Sequence, residues 1–187
     1  MAGKIIALVP AAGVGSRFGE ALPKQYLPLN GQPLIVHTLK TLASIAQLSE
    51  VVVVLSPEDQ LWATQMAAWP QWALRVRPLW VGGNSRGASV ANGLAALADR
   101  LAAEDWVLVH DAARPCLQVS WVQRLIDEVT NDAVGGLLAL PLADTVKRAD
   151  GEGRVSKTVP RDHLWRAQTP QMFRYGMLGE ALKQFPA

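Results

Sequence analysis

The sequence predicts an α/β fold built on a doubly wound, mostly parallel sheet, with a β-hairpin arm that protrudes from it. Two observations predict the sheet: short apolar segments alternate with helical ones, and glycine-rich or polar loops follow the apolar segments. Continuous apolar runs such as 5–9 (IIALV) and 51–55 (VVVVL) are typical of parallel strands buried on both faces. In such a sheet, ligands bind at the carboxyl ends of the strands.

The predicted elements follow in simple order. Strands are expected at 4–10, 51–55, 74–81, 106–110 and 136–140. Helices are expected at 33–48, from Ser56 onward, and at 89–102, 120–130 and 175–184. The second helix is expected to begin at Ser56, because a serine suits the cap, Pro57 the first helical position, and Glu58 and Asp59 the positive end of the dipole.

The arm is predicted from a change of pattern after residue 140. Segments 144–148 and 154–158 flank a polar, glycine-containing turn at 149–153, which indicates a β-hairpin. The whole arm spans about 141–163 and projects from a single domain that comprises residues 1–187. A hairpin of this kind either covers the site or contacts a second subunit.

Composition excludes several classes of protein. A net charge of +2 argues against a dedicated nucleic-acid-binding protein. No apolar run reaches the roughly 18 residues that a membrane helix needs, and the N-terminus lacks a signal-peptide cleavage pattern. Cys116 is the only cysteine, so an internal disulfide is excluded. We therefore expect a cytoplasmic protein with no membrane or nucleic-acid partner.

The loop after the first strand is the most informative segment. Residues 10–19 (PAAGVGSRFG) and 23–25 (PKQ) combine glycines, whose amides can approach an anion closely, with Arg17 and Lys24. This loop suits a nucleoside triphosphate. The spacing GxGxxxG differs from the dinucleotide fingerprint GxGxxG, and no Gly-Lys-Ser/Thr closes a Walker A loop. The plain alternative is a glycine-rich surface turn.

Three further clusters carry candidate chemistry. Asp111 directly follows a strand, where a carboxylate could hold Mg²⁺ against phosphate oxygens, with Arg114 in the same loop; the alternative is a local ion pair. In 82–89 (GGNSRGAS), the glycines and Ser89 could contact a base, or Ser89 could belong to an ordinary helix start. The last set comprises Thr145, Lys147, Arg161 and Thr169. Its hydroxyl and cationic groups could bind a phosphomonoester, or they could simply be solvated side chains.

Together these segments closely resemble the 2-C-methyl-D-erythritol 4-phosphate cytidylyltransferases of non-mevalonate isoprenoid biosynthesis. The matching segments occur in the family's order and cover almost the whole chain. The combination of the HDAARP segment with the later DT, TV, R and TPQ matches is specific for this family. It implies a nucleotide-diphospho-sugar transferase-like fold. The matching stretches are PAAGVGSRFG, PKQY, GGNSRGASV, LVHDAARPCL, ADTVKR, TVPRDHLW and AQTPQ.

The resemblance implies transfer of a cytidylyl group from CTP to a polyol phosphate, with Mg²⁺ as cofactor and release of pyrophosphate. It assigns Arg17 and Lys24 to the α-phosphate and leaving group, and Asp111 to the metal. It also implies a homodimer in which Thr145 and Arg161 of the arm act on the neighbouring subunit's site. The resemblance assigns Gly13 and Gly15 to the triphosphate, and Arg114 and Thr169, together with the arm residues, to the substrate phosphate. It assigns Arg86 to shaping the loop beside the base. The residues that it assigns to cytidine are Ala11, Ala12, Gly82, Gly83 and Ser89.

The chain departs from the family in two places. Asn84 stands where the family often has an acidic residue, which affects only the detail of the base contacts. Family members also continue for several dozen residues past the last residue, Ala187, with a second metal-binding Asp and a substrate-binding Lys. We therefore expect that this carboxyl-terminal segment is missing here and that the 187 residues alone would be nearly inactive.

Three other functions stay open on the sequence alone. A cytidylyltransferase for ribitol 5-phosphate would share the loop and the arm, although its aspartate loop usually lacks the run 112–116 (AARPC). A non-catalytic nucleotide-binding module is the alternative from another class. A nicotinamide-dependent dehydrogenase is disfavoured by the glycine spacing and by the missing acidic residue about 20 positions downstream of the loop.

Overall fold

The structure, a computed structural model, describes residues 3–13, 22–72 and 74–184. Its strands run from the first buried apolar segment to a long strand near the end of the chain. They are β1 (Ile5–Pro10), β2 (Pro28–Leu29), β3 (Gln32–Pro33), β4 (Glu50–Val54), β5 (Val76–Leu79), β6 (Trp106–Val109), β7 (Gly135–Pro141), β8 (Val146–Ala149), β9 (Val155–Val159) and β10 (Trp165–Arg174).

The central sheet has the strand order β5-β4-β1-β6-β10-β7. β1 pairs in parallel with β4 and β6, and β4 pairs in parallel with β5. β10 is antiparallel to both of its neighbours, so it is the one reversed strand of this sheet. Successive strands are added on one side of β1 up to β5, whereas β6 is added on the other side of β1. The carboxyl ends of these parallel strands form one edge, and a ligand crevice is expected where the winding changes side.

Helices cover both faces of the sheet, as the doubly wound prediction requires. The helices are α1 (Leu34–Ala43), α2 (Trp62–Met66), α3 (Arg86–Ala95), α4 (Val119–Val129) and α5 (Tyr175–Gln184). Alternate residues of each strand point to opposite faces. Val51 and Val53 therefore join the core under α1 and α4, whereas Val52 and Val54 join the core under α3 and α5. None of the helices within the described part of the chain is long and apolar enough to cross a membrane.

The arm is present as the pair β8–β9, which lies outside the central sheet. Val146 pairs with Val159, and the turn between the strands is held by Asp150, whose carboxylate accepts from the Glu152 and Arg154 amides. These backbone hydrogen bonds, led by that from Arg154, lower the pKa of the Asp150 carboxyl. The predicted hairpin is thus confirmed, and its polar turn is built by local side-chain capping.

Two predicted helices were wrong in their bounds. The helix expected from Ser56 begins instead at Trp62, because Asp59 Oδ1 accepts from the backbone amides of Leu61 and Trp62, each at 2.9 Å. The helix expected at 89–102 begins at Arg86, since Ser85 caps it by accepting from the Ala88 amide at 3.0 Å. It ends at Ala95, and turns continue from there to Leu101.

The long strand β10 was not predicted at all. Its sequence, WRAQTPQMFR, has neither a continuous apolar run nor regular alternation, and its pairing with β7 shifts register between Ala167 and Gln171. Contacts distant in sequence place it beside β6. The guanidinium of Arg174 lies 3.8 Å from the centre of the Trp106 ring, and Nη1 of Arg174 donates to the Glu104 carbonyl at 2.7 Å.

Candidate functional site

The loops that leave the carboxyl ends of β1, β4, β5 and β6 form the candidate site. The first of them begins at Ala11, whose amide donates to the Val54 carbonyl at 2.8 Å and whose side chain is buried. Ala12 and Gly13 follow at the surface of the sheet edge. Gly15 and Arg17, both assigned to the triphosphate by the sequence, lie outside the described residues.

Lys24 lies in a single 3-10 turn, Lys24–Tyr26, that brings the chain back to the same edge. The next residue, Gln25, is buried, and its side-chain amide donates to the Ala11 carbonyl at 2.8 Å. The turn that carries Lys24 is therefore attached directly to the start of the glycine-rich loop.

Gly82 and Gly83 leave no room for larger residues. A Cβ on Gly82 would lie 2.2 Å from the Ala12 Cβ and 2.7 Å from the Leu55 carbonyl oxygen, and a Cβ on Gly83 would lie 2.6 Å from the Ala88 Cβ. Gly82 allows the loop after β5 to pack against the loop after β1, and Gly83 allows the same loop to pack against the first turn of α3. The structure thus brings Ala12 and Gly82 together.

Ser89 is buried beneath this loop and is already engaged by it. Its hydroxyl accepts from the Gly83 amide at 3.1 Å and donates to the Ser85 carbonyl at 2.9 Å. Ser89 therefore holds the shape of the loop from below. The geometry assigns it a supporting position next to the predicted base site.

Asp111 lies at the centre of the most highly charged part of the site. Its Oδ1 accepts from Arg86 Nε at 2.7 Å, and its Oδ2 accepts from Arg114 Nε at 2.9 Å. Arg114 Nη1 also donates to Gln168 Oε1 at 2.6 Å, which connects the aspartate loop to β10. The local ion pair that the sequence analysis gave as an alternative, between Asp111 and Arg114, is thus present. It belongs to a larger, partly exposed network in which Asp111 also pairs with Arg86.

Thr169 lies next to Asp111, as its assignment to the same site predicts. It is buried, and its hydroxyl accepts from the Asp111 amide at 3.4 Å. Thr169 reaches this position because β10 is inserted beside β6. Arg114, Asp111 and Thr169 are therefore brought together by the strand that the sequence did not predict.

His110 is a buried component of the same loop. Its ring is 1% exposed, and Nε2 lies 3.2 Å from the Arg114 carbonyl, to which it donates. Burial is the main cause that lowers the pKa of His110 below its ordinary value of 6.5, and the bond to Arg114 opposes this effect. The neutral imidazole therefore has a structural role, which is to stabilise the aspartate loop.

The donor set around Asp111 is compatible with Mg²⁺ bound together with a nucleotide. Among the described residues, no three His, Cys, Asp or Glu side chains cluster as a metal cage. Mg²⁺ typically uses one or two carboxylates with substrate phosphates and water, so a single Asp111 at this edge fits that pattern. Each carboxylate oxygen also accepts from a guanidinium group, so a metal at Asp111 would share this carboxylate with Arg86 and Arg114.

The two arm residues lie apart from this centre within the chain. Thr145 is exposed just before β8, and Arg161 is exposed after β9, where its guanidinium donates to the Ala143 carbonyl. Lys147 donates to the Thr158 hydroxyl at 2.8 Å across the arm. The structure therefore groups Thr145 and Arg161 with each other on the arm, and groups Arg114 and Thr169 with Asp111.

The loop after β4 was missed as part of the site. This loop contributes to the lining of a cavity of about 290 Å³. The lining residues are Ala12, Gly13, Pro23, Gln25, Ser56, Glu58, Asp59, Gln60 and Leu61. The loop's position directly after a central parallel strand was the available signal, because ligand crevices form at such strand ends. The sequence reasoning had instead placed these residues in a helix.

Comparisons with known proteins converge on one family. A family model described as 2-C-methyl-D-erythritol 4-phosphate cytidylyltransferase matches residues 5–186. Proteins of that name from Chromobacterium violaceum and Nitrosomonas eutropha are 60% and 54% identical to this chain, and each match covers 98% of the chain and 79% of the relative. A crystal structure of 4-diphosphocytidyl-2C-methyl-D-erythritol synthase matches with a TM-score of 0.83 at 41% identity, covering 99% of this chain and 81% of that one.

Proposed function

The chain belongs to the 2-C-methyl-D-erythritol 4-phosphate cytidylyltransferase family, and from this membership we propose the reaction that it catalyses and the roles of its residues. It transfers the cytidylyl group of CTP to 2-C-methyl-D-erythritol 4-phosphate, forming 4-diphosphocytidyl-2-C-methyl-D-erythritol and pyrophosphate. The single observation that carries this proposal is the family match over residues 5–186, which includes every loop at the sheet edge.

The chemical step is a direct, in-line displacement. A phosphate oxygen of the polyol phosphate attacks the α-phosphorus of CTP, the new P–O bond forms, and the bond from the α-phosphorus to the bridging oxygen breaks. Pyrophosphate leaves with the electron pair. Such a reaction needs positioning and cationic stabilisation more than a covalent intermediate.

Within this reaction, Arg17 and Lys24 stabilise charge on the α-phosphate and the leaving group. The amides of Gly13 and Gly15 cradle the triphosphate. Lys24 is supported in this role by its turn, which Gln25 attaches to the start of the glycine-rich loop.

The cytidine moiety lies between the loops after β1 and β5. Ala11, Ala12, Gly82 and Gly83 surround it, and the close packing of Gly82 on Ala12 supports this placement. Ser89 contributes by holding Gly83 and Ser85 in position.

Asp111 holds the divalent cation in the loaded enzyme. Mg²⁺, when bound, neutralises phosphate charge at this point of the site. Arg86 and Arg114 both pair with Asp111 in the structure. Arg114 would contact the substrate phosphate, and Arg86 would shape the loop beside the base.

The acceptor phosphate is held by four residues from two parts of the fold. Arg114 and Thr169 come from the sheet edge, and Thr145 and Arg161 come from the arm. The arm carries exposed apolar side chains at Val155 and nearby Trp165, which suits a subunit contact. We therefore propose a homodimer in which the arm completes the neighbouring subunit's site, in a cytoplasmic enzyme.

Product analysis tests the proposed reaction. The full-length gene product is incubated with CTP, Mg²⁺ and 2-C-methyl-D-erythritol 4-phosphate, and the phosphorus spectrum is followed by ³¹P NMR. The expected result is equal formation of a diphosphate diester and free pyrophosphate. Nucleotide binding without turnover would instead support a non-catalytic module.

A further inference from the structure

The turn that carries Lys24 is fixed on both sides of that residue by buried side chains. Tyr26 is 2% exposed, and its hydroxyl donates to Asp59 Oδ2 at 2.7 Å. Gln25 is 6% exposed and donates to the Ala11 carbonyl at 2.8 Å. A single turn of three residues has little stability of its own, so these two bonds determine where Lys24 lies.

Asp59 is in turn a fixed partner. Its Oδ1 accepts from the Leu61 and Trp62 amides at the start of α2, while Oδ2 accepts from Tyr26. The Trp80 indole nitrogen also donates to the Asp59 carbonyl at 3.2 Å. The carboxylate is thus shared between a helix start and the turn that carries Lys24, and both belong to loops at the carboxyl edge of the sheet.

The chemistry of the pair favours a lasting bond. Burial, followed by the hydrogen bond to Asp59 and the negative charge of Asp59, raises the pKa of the Tyr26 hydroxyl above its ordinary value of 10.0. The phenol therefore stays protonated and donates at any pH at which the enzyme works. A hydrogen bond to a charged acceptor is stronger than one between neutral groups.

We propose that Tyr26 and Asp59 are positioning residues for the transfer reaction: their bond holds the Lys24 turn at the loop after β4. Neither residue is required to touch the reacting atoms. Gln25 and Asp59 both line the same cavity, so the two attachments fix the turn beside it. This inference rests on the proposed role of Lys24.

Tyr26→Phe tests the proposal, with Tyr175→Phe as the matched control. Tyr175 also donates its hydroxyl to a buried partner, the Leu94 carbonyl at 3.1 Å, but it lies on the opposite face of the sheet. Steady-state kinetics and thermal unfolding are measured for both variants and the unaltered protein, each prepared as the full-length gene product. We expect Tyr26→Phe to lower kcat by about tenfold with little change in KM for CTP, because a small displacement of a charge-stabilising group slows the chemical step.

Two substitutions of Asp59 test the same hydrogen bond at its acceptor. Asp59→Ala should lower kcat as Tyr26→Phe does, whereas Asp59→Asn keeps the oxygen that caps α2 and offers the Tyr26 oxygen an amide donor, so it should retain most of the activity. A Tyr26→Phe protein that loses thermal stability but keeps kcat, as Tyr175→Phe should, would overturn the proposal. Absence of turnover in the unaltered protein would instead refute the proposed function, and this inference with it.

Discussion

Arg86 Nε donates to Asp111 Oδ1 at 2.7 Å, joining two residues 25 positions apart in the chain. The bond connects the start of α3 with the loop after β6, and both residues are partly exposed. If Asp111 binds Mg²⁺ as proposed, the guanidinium of Arg86 and the cation would repel each other and compete for the same carboxylate. The strength of this ion pair would then affect how readily the site accepts Mg²⁺.

Replacing Arg86 should ease metal binding. In Arg86→Gln, Asp111 Oδ1 loses its charged partner, and an exposed pair of this kind is worth up to about 1 kcal/mol. We expect the Mg²⁺ concentration for half-maximal activity to fall by about two- to fivefold, measured from rates at a fixed CTP concentration. Arg124→Gln is the control, because Arg124 pairs with Glu128 on the exposed face of α4. An unchanged or raised Mg²⁺ requirement in Arg86→Gln would contradict the competition.

Gly82→Ala should damage the cytidine site. The added methyl group would overlap Ala12 and the Leu55 carbonyl, so the two loops must separate. Overpacking of this kind costs about 1–3 kcal/mol, and we expect KM for CTP to rise by at least tenfold. Gly179→Ala, in α5, is the control because its added Cβ meets nothing within 4 Å. Equal effects of the two substitutions on KM would show that the close packing at Gly82 does not support nucleotide binding.

Arg17→Ala and Lys24→Ala distinguish an enzyme from a binding module. If these side chains stabilise charge that develops in the transition state, each substitution should lower kcat by about 10²-fold or more. Lys183→Ala, which removes an exposed lysine paired with Glu180, should leave kcat unchanged. CTP affinity is measured in parallel by calorimetry. Loss of affinity with an unchanged kcat would favour simple nucleotide binding as the role of both residues.

His110 should make the protein sensitive to acid. Its pKa in the folded state lies below the ordinary 6.5, so protons bind the unfolded chain more readily. The stability contributed by neutral His110 is fully present above about pH 6.5 and is lost as the pH falls below that value. Urea unfolding between pH 7.5 and 5 should therefore show a shallower pH dependence for His110→Gln than for the unaltered protein. His37 and His163 are present in both proteins, so they cannot cause a difference between them. The same pH dependence of the unfolding free energy in both proteins would contradict the effect assigned to His110.

Much of the fold was predictable because its signals are local. The apolar runs of β1 and β4 are confirmed as central parallel strands, and α5 and the arm lie where their patterns placed them. The order of loops along the chain also placed Asp111 and Gly82 at the ligand-binding edge, since parallel strands end on the same side.

The rest depended on contacts between distant segments. β10 is positioned by pairing with β6 and β7 and by Arg174 on Trp106, none of which its own sequence displays. The helix α2 begins later than predicted because Asp59, and not Ser56, accepts hydrogen bonds from the amides at the start of α2. Asp59 is held in place by its bond to Tyr26. The roles of the site residues stay predictions, and Arg17 and Gly15 lie outside the described residues.

The most direct test of the account is the choice of acceptor. Initial rates of pyrophosphate release are measured for the full-length gene product with CTP and Mg²⁺, offering 2-C-methyl-D-erythritol 4-phosphate and ribitol 5-phosphate in separate reactions. We expect rapid release with the first acceptor and only background release with the second. Faster release with ribitol 5-phosphate would contradict the proposed substrate, and no release with either would contradict the proposed reaction.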